Sequence, residues 1–310
     1  MTGAGGFIGA NVVRRLMDDD LEAHAVVQPG SDSWRLRGID QLVTHDCSVD
    51  DAAAVDDLVR SVKPNWVFHL AAHGAYAHQT DFRRMVAANI LGTFNLLDAL
   101  DRDGCCEGFV HTGSSSEYGL KDHAPQENER VAPNSTYAVT KCAATHGVTT
   151  WAHRTGMPAV TVRLYSIYGP WEEPTRLLPR LVGAAMGGTL PPLVAPSTAR
   201  DFVWVGDAVE GIIRAARSAE RRPGAVWNLG SGAQTTLEEL VAIVRRVFAV
   251  VEEPTWGSMA NRAWDTDRWI ADARLASEQL KWRAKTPLDA GVQEFGAWIA
   301  SRPKPSRYTR

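Results

Sequence analysis

Cysteine is scarce in this chain: four thiols in 310 residues, Cys47, Cys105, Cys106 and Cys142, two of them adjacent and none in C-x-x-C spacing. That excludes a disulfide framework or a zinc knuckle and fits reduced thiols in a cytoplasmic protein. Long apolar runs are missing too. No stretch approaches the roughly 20 residues of a spanning helix, and no basic segment leads into a signal-type apolar stretch, so no membrane role is expected. Nor is there an excess of one charge. The 33 basic and 36 acidic residues leave a net -3, which offers no polycationic field for nucleic acid and favours a small substrate. Internal repeats and low-complexity segments are not found. What remains is ordinary globular composition, 45% hydrophobic and 22% charged, ample for one large core or two that share a boundary.

Up to about residue 165, short apolar runs alternate with helical periods, the pattern of a doubly wound parallel α/β sheet of Rossmann type. The strands are expected at Ala23 to Val27, Gln41 to Thr44, Trp66 to Leu70, Gly108 to Thr112 and Ala159 to Leu164. A long helix is expected from Asp81 to Leu100, with Asn89 and Thr93 as polar intrusions on its apolar face. Beyond 165 come proline-containing loops and helices near Leu177 to Met186, Asp207 to Arg217, Thr236 to Val250 and Leu288 to Ile299. Thr236 and Glu239 have capping-box spacing. We expect a dinucleotide-binding domain over 1–165 with 203–222 returning to it. A smaller C-terminal substrate lobe is expected from 166–202 and 223–301, with 302–310 as a frayed tail.

Thr2-Gly3-Ala4-Gly5-Gly6-Phe7-Ile8-Gly9 opens a helical pattern carrying Val12, Val13, Leu16 and Met17. Such a loop lets the backbone approach a pyrophosphate and aims a helix N-terminus at it. The glycine spacing is G-x-x-G-x-x-G rather than the commoner G-x-G-x-x-G. Met1 stands directly before the loop, where a buried central strand should be. That first strand is expected to be missing from the chain, and residues encoded upstream are expected to raise stability.

Further along, Tyr137-Ala138-Val139-Thr140-Lys141 puts a phenol and an ammonium on one helix face. A nearby cation should lower the phenol pKa toward the range of a general base. Gly113-Ser114-Ser115-Ser116-Glu117-Tyr118-Gly119 follows a strand and offers hydroxyls at its carboxyl end, where open α/β sheets bind ligands. With the glycine loop, these motifs resemble the extended short-chain dehydrogenase/reductase family, in particular the NAD-dependent epimerase/dehydratases of nucleotide sugars. The series continues in the family's order with His69-Leu70-Ala71-Ala72, Asn89 to Thr93, Arg163-Leu164-Tyr165-Ser166-Ile167-Tyr168-Gly169-Pro170 and Arg200-Asp201-Phe202-Val203. After it come Asp207, Asn228 to Gly232, Arg262 and Leu280-Lys281-Trp282.

The resemblance implies a catalytic trio. Tyr137 would be the acid/base on the sugar O4 hydroxyl, Lys141 would hold the nicotinamide ribose and tune Tyr137, and Ser114 would complete the set. It places the cofactor, NAD, on Gly3, Gly6, Phe7, Ile8, Gly9, Gln28, Asp46, Cys47, Leu70, Ala71, Ala72 and Asn89 besides Tyr137 and Lys141, with Asp46 receiving the adenine. It places the nucleotide-diphosphate sugar on Ser115, Ser116, Ser166, Arg200 and Arg262, the arginines gripping the diphosphate. Helix capping is the competing role for Ser115 and Ser116. A homodimer through the helices at Asp81 to Leu100 and Tyr137 to His153 is a further family expectation. No metal site is expected, because no Glu stands beside His69 and a strand end would not hold His69 and His73 as a zinc helix does.

Three departures matter. The strand that should end in an acid for the ribose hydroxyls ends Val26-Val27-Gln28-Pro29, and Ser31, Ser33 and Arg35 could receive a 2′-phosphate, which leaves NADP open. A 4,6-dehydratase needs an acid directly after its Ser or Thr, whereas here Ser115 and Ser116 precede Glu117. Ser166 stands for the family's substrate-loop Asn, and Gly206-Asp207 for its paired aspartates. The resulting expectation is a nucleotide-sugar 4-epimerase working through a transient 4-keto sugar, with hydride passing from C4 to nicotinamide and returning to the other face. The alternatives are a nucleotide-4-keto-sugar reductase using NAD(P)H, a 4,6-dehydratase, and a non-catalytic dinucleotide sensor.

Overall fold

Apolar segments with no exposed face become the strands of a parallel sheet in the computed structural model, which describes residues 1–259, 266–302 and 307–308. In chain order the first half runs α1 (Phe7–Asp18), β1 (His24–Val27), β2 (Val43–Asp46), α2 (Ala52–Val62), β3 (Trp66–His69) and α3 (Phe82–Val86). A π-helical turn (Ala87–Leu91), α4 (Gly92–Asp103), β4 (Gly108–Ser114), α5 (Thr136–Thr155) and β5 (Ala159–Leu164) follow. The second half runs β6 (Ser166–Tyr168), α6 (Leu177–Ala185), β7 (Ala199–Arg200), β8 (Phe202–Trp204), α7 (Val205–Ser218), β9 (Val226–Leu229), β10 (Thr235–Thr236), α8 (Leu237–Phe248), α9 (Arg274–Leu280) and α10 (Leu288–Ala300).

The main sheet has the order β3-β4-β5-β9, and β1 pairs with β2, all in parallel. Met1 and Thr2 occupy the position between the two groups. Thr2 bridges Val26 on one side and His69 on the other. Its N–H donates to Phe68 O at 3.0 Å, and Val26 N–H donates to Met1 O at 2.7 Å. These two residues lie where the central strand is expected ahead of the glycine loop.

Gly3 then turns the chain at φ +67°, and a Cβ there would lie 2.5 Å from Leu70 C and from Ala71 N. A Cβ on Gly9 would overlap the Gly3 carbonyl oxygen. Both glycines are therefore required by close backbone approach.

Four hydrophobic clusters pack the described residues, and the two largest lie against the main sheet and among the C-terminal helices. The first joins α1, α7 and the sheet through Val12, Phe68, Val110, Val162, Ile212 and Trp227. The second joins α6, α8 and α10 through Leu181, Leu240, Val244 and Phe295, with Tyr168 and Trp204 at its edge. The capping box expected at Thr236 and Glu239 starts α8.

Three expectations need correction. The stretch holding β9 was expected within the substrate lobe, but Val226–Leu229 pairs with β5 and extends the main sheet, with Trp227 and Leu229 buried on one face and the Asn228 amide satisfied on the other. The Gln41 to Thr44 strand falls at Val43–Asp46. In the tail, Tyr308 is buried against Phe295 and Trp298, and its hydroxyl donates to Glu172 O at 2.7 Å. Aromatic packing overrides the fraying expected at that position.

Replacing Gly3→Ala combines an αL penalty with a backbone clash and should lower unfolding free energy by roughly 2–5 kcal/mol. Urea unfolding at constant slope reads this as a lower midpoint; an unchanged midpoint would contradict the close approach.

Candidate active site

β4 ends at Ser114, and the chain tightens into a 3-10 turn, Ser115–Tyr118. The turn is closed reciprocally. Ser114 Oγ accepts from the Ser116 N–H at 3.2 Å, and Glu117 Oε1 accepts from the Ser114 N–H at 2.8 Å. The capping role weighed for Ser115 and Ser116 therefore belongs to Ser114.

Glu117 has no exposed surface. Its Oε1 also accepts from Thr145 Oγ1 at 3.0 Å, and its Oε2 accepts from Arg163 Nε at 2.8 Å. Arg163 donates further to the Tyr118 hydroxyl at 2.8 Å, which in turn donates to Asn228 Oδ1 at 2.8 Å. Gly113 makes room for this carboxylate, since a Cβ there would lie 2.6 Å from Oε1.

α5 begins where Ser135 Oγ accepts from the Ala138 N–H at 3.2 Å, so Tyr137 falls in the first turn and Lys141 one turn later. Tyr137 is half-buried. Burial pushes its phenol up to about 12, and the nearby Ser114 hydroxyl only partly opposes this. The expectation that Lys141 would bring the phenol down is not met, because desolvation outweighs the charges around it. Lys141 is 1% exposed. Burial lowers its ammonium to about 8, with Glu117 acting in the opposite direction. Its Nζ lies 3.0 Å from His111 Nε2, a partner the motif search did not supply.

On the cofactor side, Gly6 caps α1 without a side-chain bond, and the first turn, which includes Phe7, Ile8 and Gly9, carries no acid. That uncapped N-terminus, with the glycine-built approach beside it, fits a pyrophosphate. Asp46 and Gln28 are exposed at the carboxyl ends of β2 and β1, where an adenosine could lie, and Gln28 Oε1 accepts from Ser48 Oγ at 3.1 Å. Cys47 is buried, its N–H donating to Val27 O at 3.1 Å. Leu70 and Ala71 follow β3 and back onto Gly3, and Ala72 beyond them is exposed.

Asn89 is wholly buried. Its amide is bonded to the N–H and O of His73 and to Thr140 Oγ1, at 2.8–2.9 Å. It braces the loop after β3 against α5 and does not face open space. Arg35, a candidate for a 2′-phosphate, is buried and committed to Trp171 O at 2.7 Å and Glu173 at 3.0 Å.

On the substrate side, Trp269 draws two expected residues together. Its Nε1 donates to Ser115 Oγ at 3.2 Å, and the Arg200 guanidinium sits 5.5 Å from its ring centre. Ser116 is half-buried beside Ser114, and Ser166 is half-buried on β6, its N–H bonded to Asp201 O at 2.9 Å. Arg262 lies outside the described residues. Trp269 was missed because no local spacing marks a side chain that arrives from another segment. Asp201, which accepts from Ser231, Gly232 and Ala271, was visible only as part of Arg-Asp-Phe-Val.

A parallel sheet with a pyrophosphate-type loop, and Ser114 and Tyr137 near each other with a buried Lys141 one helical turn from Tyr137, defines an enzyme of the short-chain dehydrogenase/reductase class. Residues 1–230 match the NAD dependent epimerase/dehydratase family, and the chain belongs to it. It is similar to the trifunctional UDP-glucose 4,6-dehydratase/UDP-4-keto-6-deoxy-D-glucose 3,5-epimerase/UDP-4-keto-L-rhamnose-reductase RHM2 of Arabidopsis thaliana. The two are 24% identical over 98% of this chain and 47% of that protein. It is also similar to UDP-glucuronate 4-epimerase 3 of Arabidopsis thaliana, 29% identical over 81% of this chain and 62% of that protein. The chain thus spans about half the length of the first relative and under two thirds of the second. Among solved structures it resembles MoeE5 in complex with UDP-glucose and NAD, with a TM-score of 0.84 and 28% identity. That match covers 96% of this chain and 97% of the other.

Glu117→Ala would leave the Arg163 cation buried without its partner and the Ser114 N–H unsatisfied. We expect a loss of about 3–5 kcal/mol in unfolding free energy, measured by denaturant titration. A loss below 1 kcal/mol, the range of an exposed pair, would contradict this role.

Proposed function

We propose that the protein is a nucleotide-sugar 4-epimerase that retains NAD. The observation that carries this reading is the state of Glu117. In the Ser114–Tyr118 stretch it is the one carboxylate, and it is fully engaged by Arg163, Thr145 and the Ser114 N–H. A 4,6-dehydratase needs an acid free to move a proton at C5, and the positions following Ser114 offer only the hydroxyls of Ser115 and Ser116. Two neighbouring hydroxyls, with a buried ammonium one helical turn from the phenol, suit proton exchange at one sugar oxygen.

NAD, when bound, supplies an acceptor for the C4 hydrogen and returns it. The chain supplies the rest. Tyr137 takes the proton from O4 as the sugar is oxidised and gives it back on reduction, while Ser114 orients the same oxygen. The α1 N-terminus and Gly3 hold the pyrophosphate, and Asp46 and Gln28 flank the adenosine. Arg200 and Arg262 grip the substrate diphosphate, a task suited to guanidinium forks. Arg35, tied to Glu173, is not free for a 2′-phosphate, which favours NAD over NADP. The similarity to MoeE5 and to UDP-glucuronate 4-epimerase 3 supports uridine diphosphate sugars as the first substrates to try.

The second reading, a 4-keto-sugar reductase, draws on the uncharged Gln28. We also propose a homodimer through α3, α4 and α5, which expose Phe82, Leu91 and Val139. A cytoplasmic location is consistent with four unpaired cysteines. Among the described residues, no helix is long and apolar enough to cross a membrane.

UDP-glucose and UDP-glucuronate, incubated in D2O with no added cofactor, should give a C4 epimer that keeps protium at C4. Tyr137→Phe should slow this by about 10²–10⁴-fold. Stoichiometric consumption of NAD(P)H by a 4-keto substrate, with no epimerisation, would overturn the reading in favour of the reductase.

A further inference from the structure

Strand register brings two histidines into the floor of the site. His111 on β4 pairs with His69 on β3 and with Thr161 on β5, so all three side chains project to one face of the sheet. Neither imidazole is exposed beyond 1%, and their ring centres are 5.8 Å apart. Lys141 comes down from α5 onto this face, its Nζ 3.0 Å from His111 Nε2.

The bonding fixes both tautomers. An ammonium has only donors, so His111 Nε2 carries the lone pair and its Nδ1–H points to Thr161 Oγ1 at 3.3 Å. His69 is held the opposite way. The Thr93 hydroxyl donates to Asn89 O at 2.7 Å, so it accepts from His69 Nε2–H at 2.9 Å, and His69 Nδ1 accepts from Thr2 Oγ1 at 2.7 Å. Burial beside a cation keeps both rings neutral, His69 falling to about 3 and His111 well below its ordinary value.

We propose that His111 is the positioning residue for Lys141: its neutral imidazole, held in the Nδ1–H form, takes one Nζ–H bond and so fixes the ammonium one helical turn from the Tyr137 phenol. Two Nζ–H bonds remain for ligands in the site. The titratable groups around Lys141 are Glu117 from the turn after β4, His111 from β4 and His69 from β3, with Arg163 from β5 facing His111. Only Glu117 among them is anionic; it opposes the desolvation of the ammonium by charge, and it is shared with Arg163. The direct hydrogen bond of the Nζ is the one it donates to His111.

Removing the acceptor should make the ammonium lose its proton at lower pH. The proposal's effect on turnover rests on the epimerase reading; its effect on ring and ammonium does not. Nitrogen NMR of histidine-labelled protein should show His111 protonated at Nδ1 and bare at Nε2, and His69 the reverse. His111 protonated at Nε2 would overturn the proposal, whatever the enzyme does.

In lysine-labelled protein, His111→Leu should move the Lys141 titration, and the alkaline limb of kcat with it, down from about 8 by about one pH unit, with kcat falling about twofold at pH 7 and approaching tenfold above about pH 9, and KM little changed. His111→Gln, which keeps an acceptor, should restore both. A uniform loss of rate with unmoved titration, or no rescue by glutamine, would reduce His111 to packing and refute the proposal. Should wild type epimerise no nucleotide sugar, the functional reading fails, and the NMR titration still decides the role of His111.

Discussion

Two elements, β4 and α5, carry the candidate catalytic groups, and one carboxylate with no solvent contact ties them to each other and to β5. Glu117 takes a bond from the Ser114 backbone at the end of β4, one from Thr145 on α5 and one from Arg163 on β5. Isolated in a low-dielectric interior, such a charge would be very costly, so it persists only because each oxygen is satisfied. The geometry of the site follows. Ser114 is held extended at the strand end, α5 is pinned so that Tyr137 reaches Ser114, and Lys141 is directed into the sheet. A buried ion pair of this kind adds little net stability over an apolar replacement, but it tolerates few alternative arrangements.

The cofactor side depends on backbone rather than side chains. Gly3 and Gly9 let the loop fold onto Leu70 and Ala71, and α1 presents free N–H groups with no competing acid. Asn89 then fixes the loop after β3 to α5, the helix bearing Tyr137. The π-helical turn around Asn89 is where a regular helix yields to let that amide reach both partners.

Much of this was readable from the sequence because it is local. The glycine loop, the Tyr137 and Lys141 spacing, the serine run and most strand and helix positions follow from periodicity and motif order. What was not readable is what depends on register and on distant segments. His111 becomes a partner of Lys141 only when β4 lies between β3 and β5. Arg35 is open in sequence and closed by Trp171 and Glu173, more than a hundred residues away. Trp269 reaches Ser115 and Arg200 from a loop with no motif. Burial, which no spacing reports, raises the Tyr137 phenol where the neighbouring lysine suggested a fall. Glu117 was visible, but as a misplaced dehydratase acid, since its three partners lie on three elements.

An epimerase must keep its dinucleotide through both half-reactions, whereas a reductase must exchange it at every turnover. The most direct measurement is therefore to denature the purified protein and identify the released dinucleotide by mass spectrometry. The account predicts NAD in near-stoichiometric amount. An empty site that afterwards takes up NADPH would contradict it.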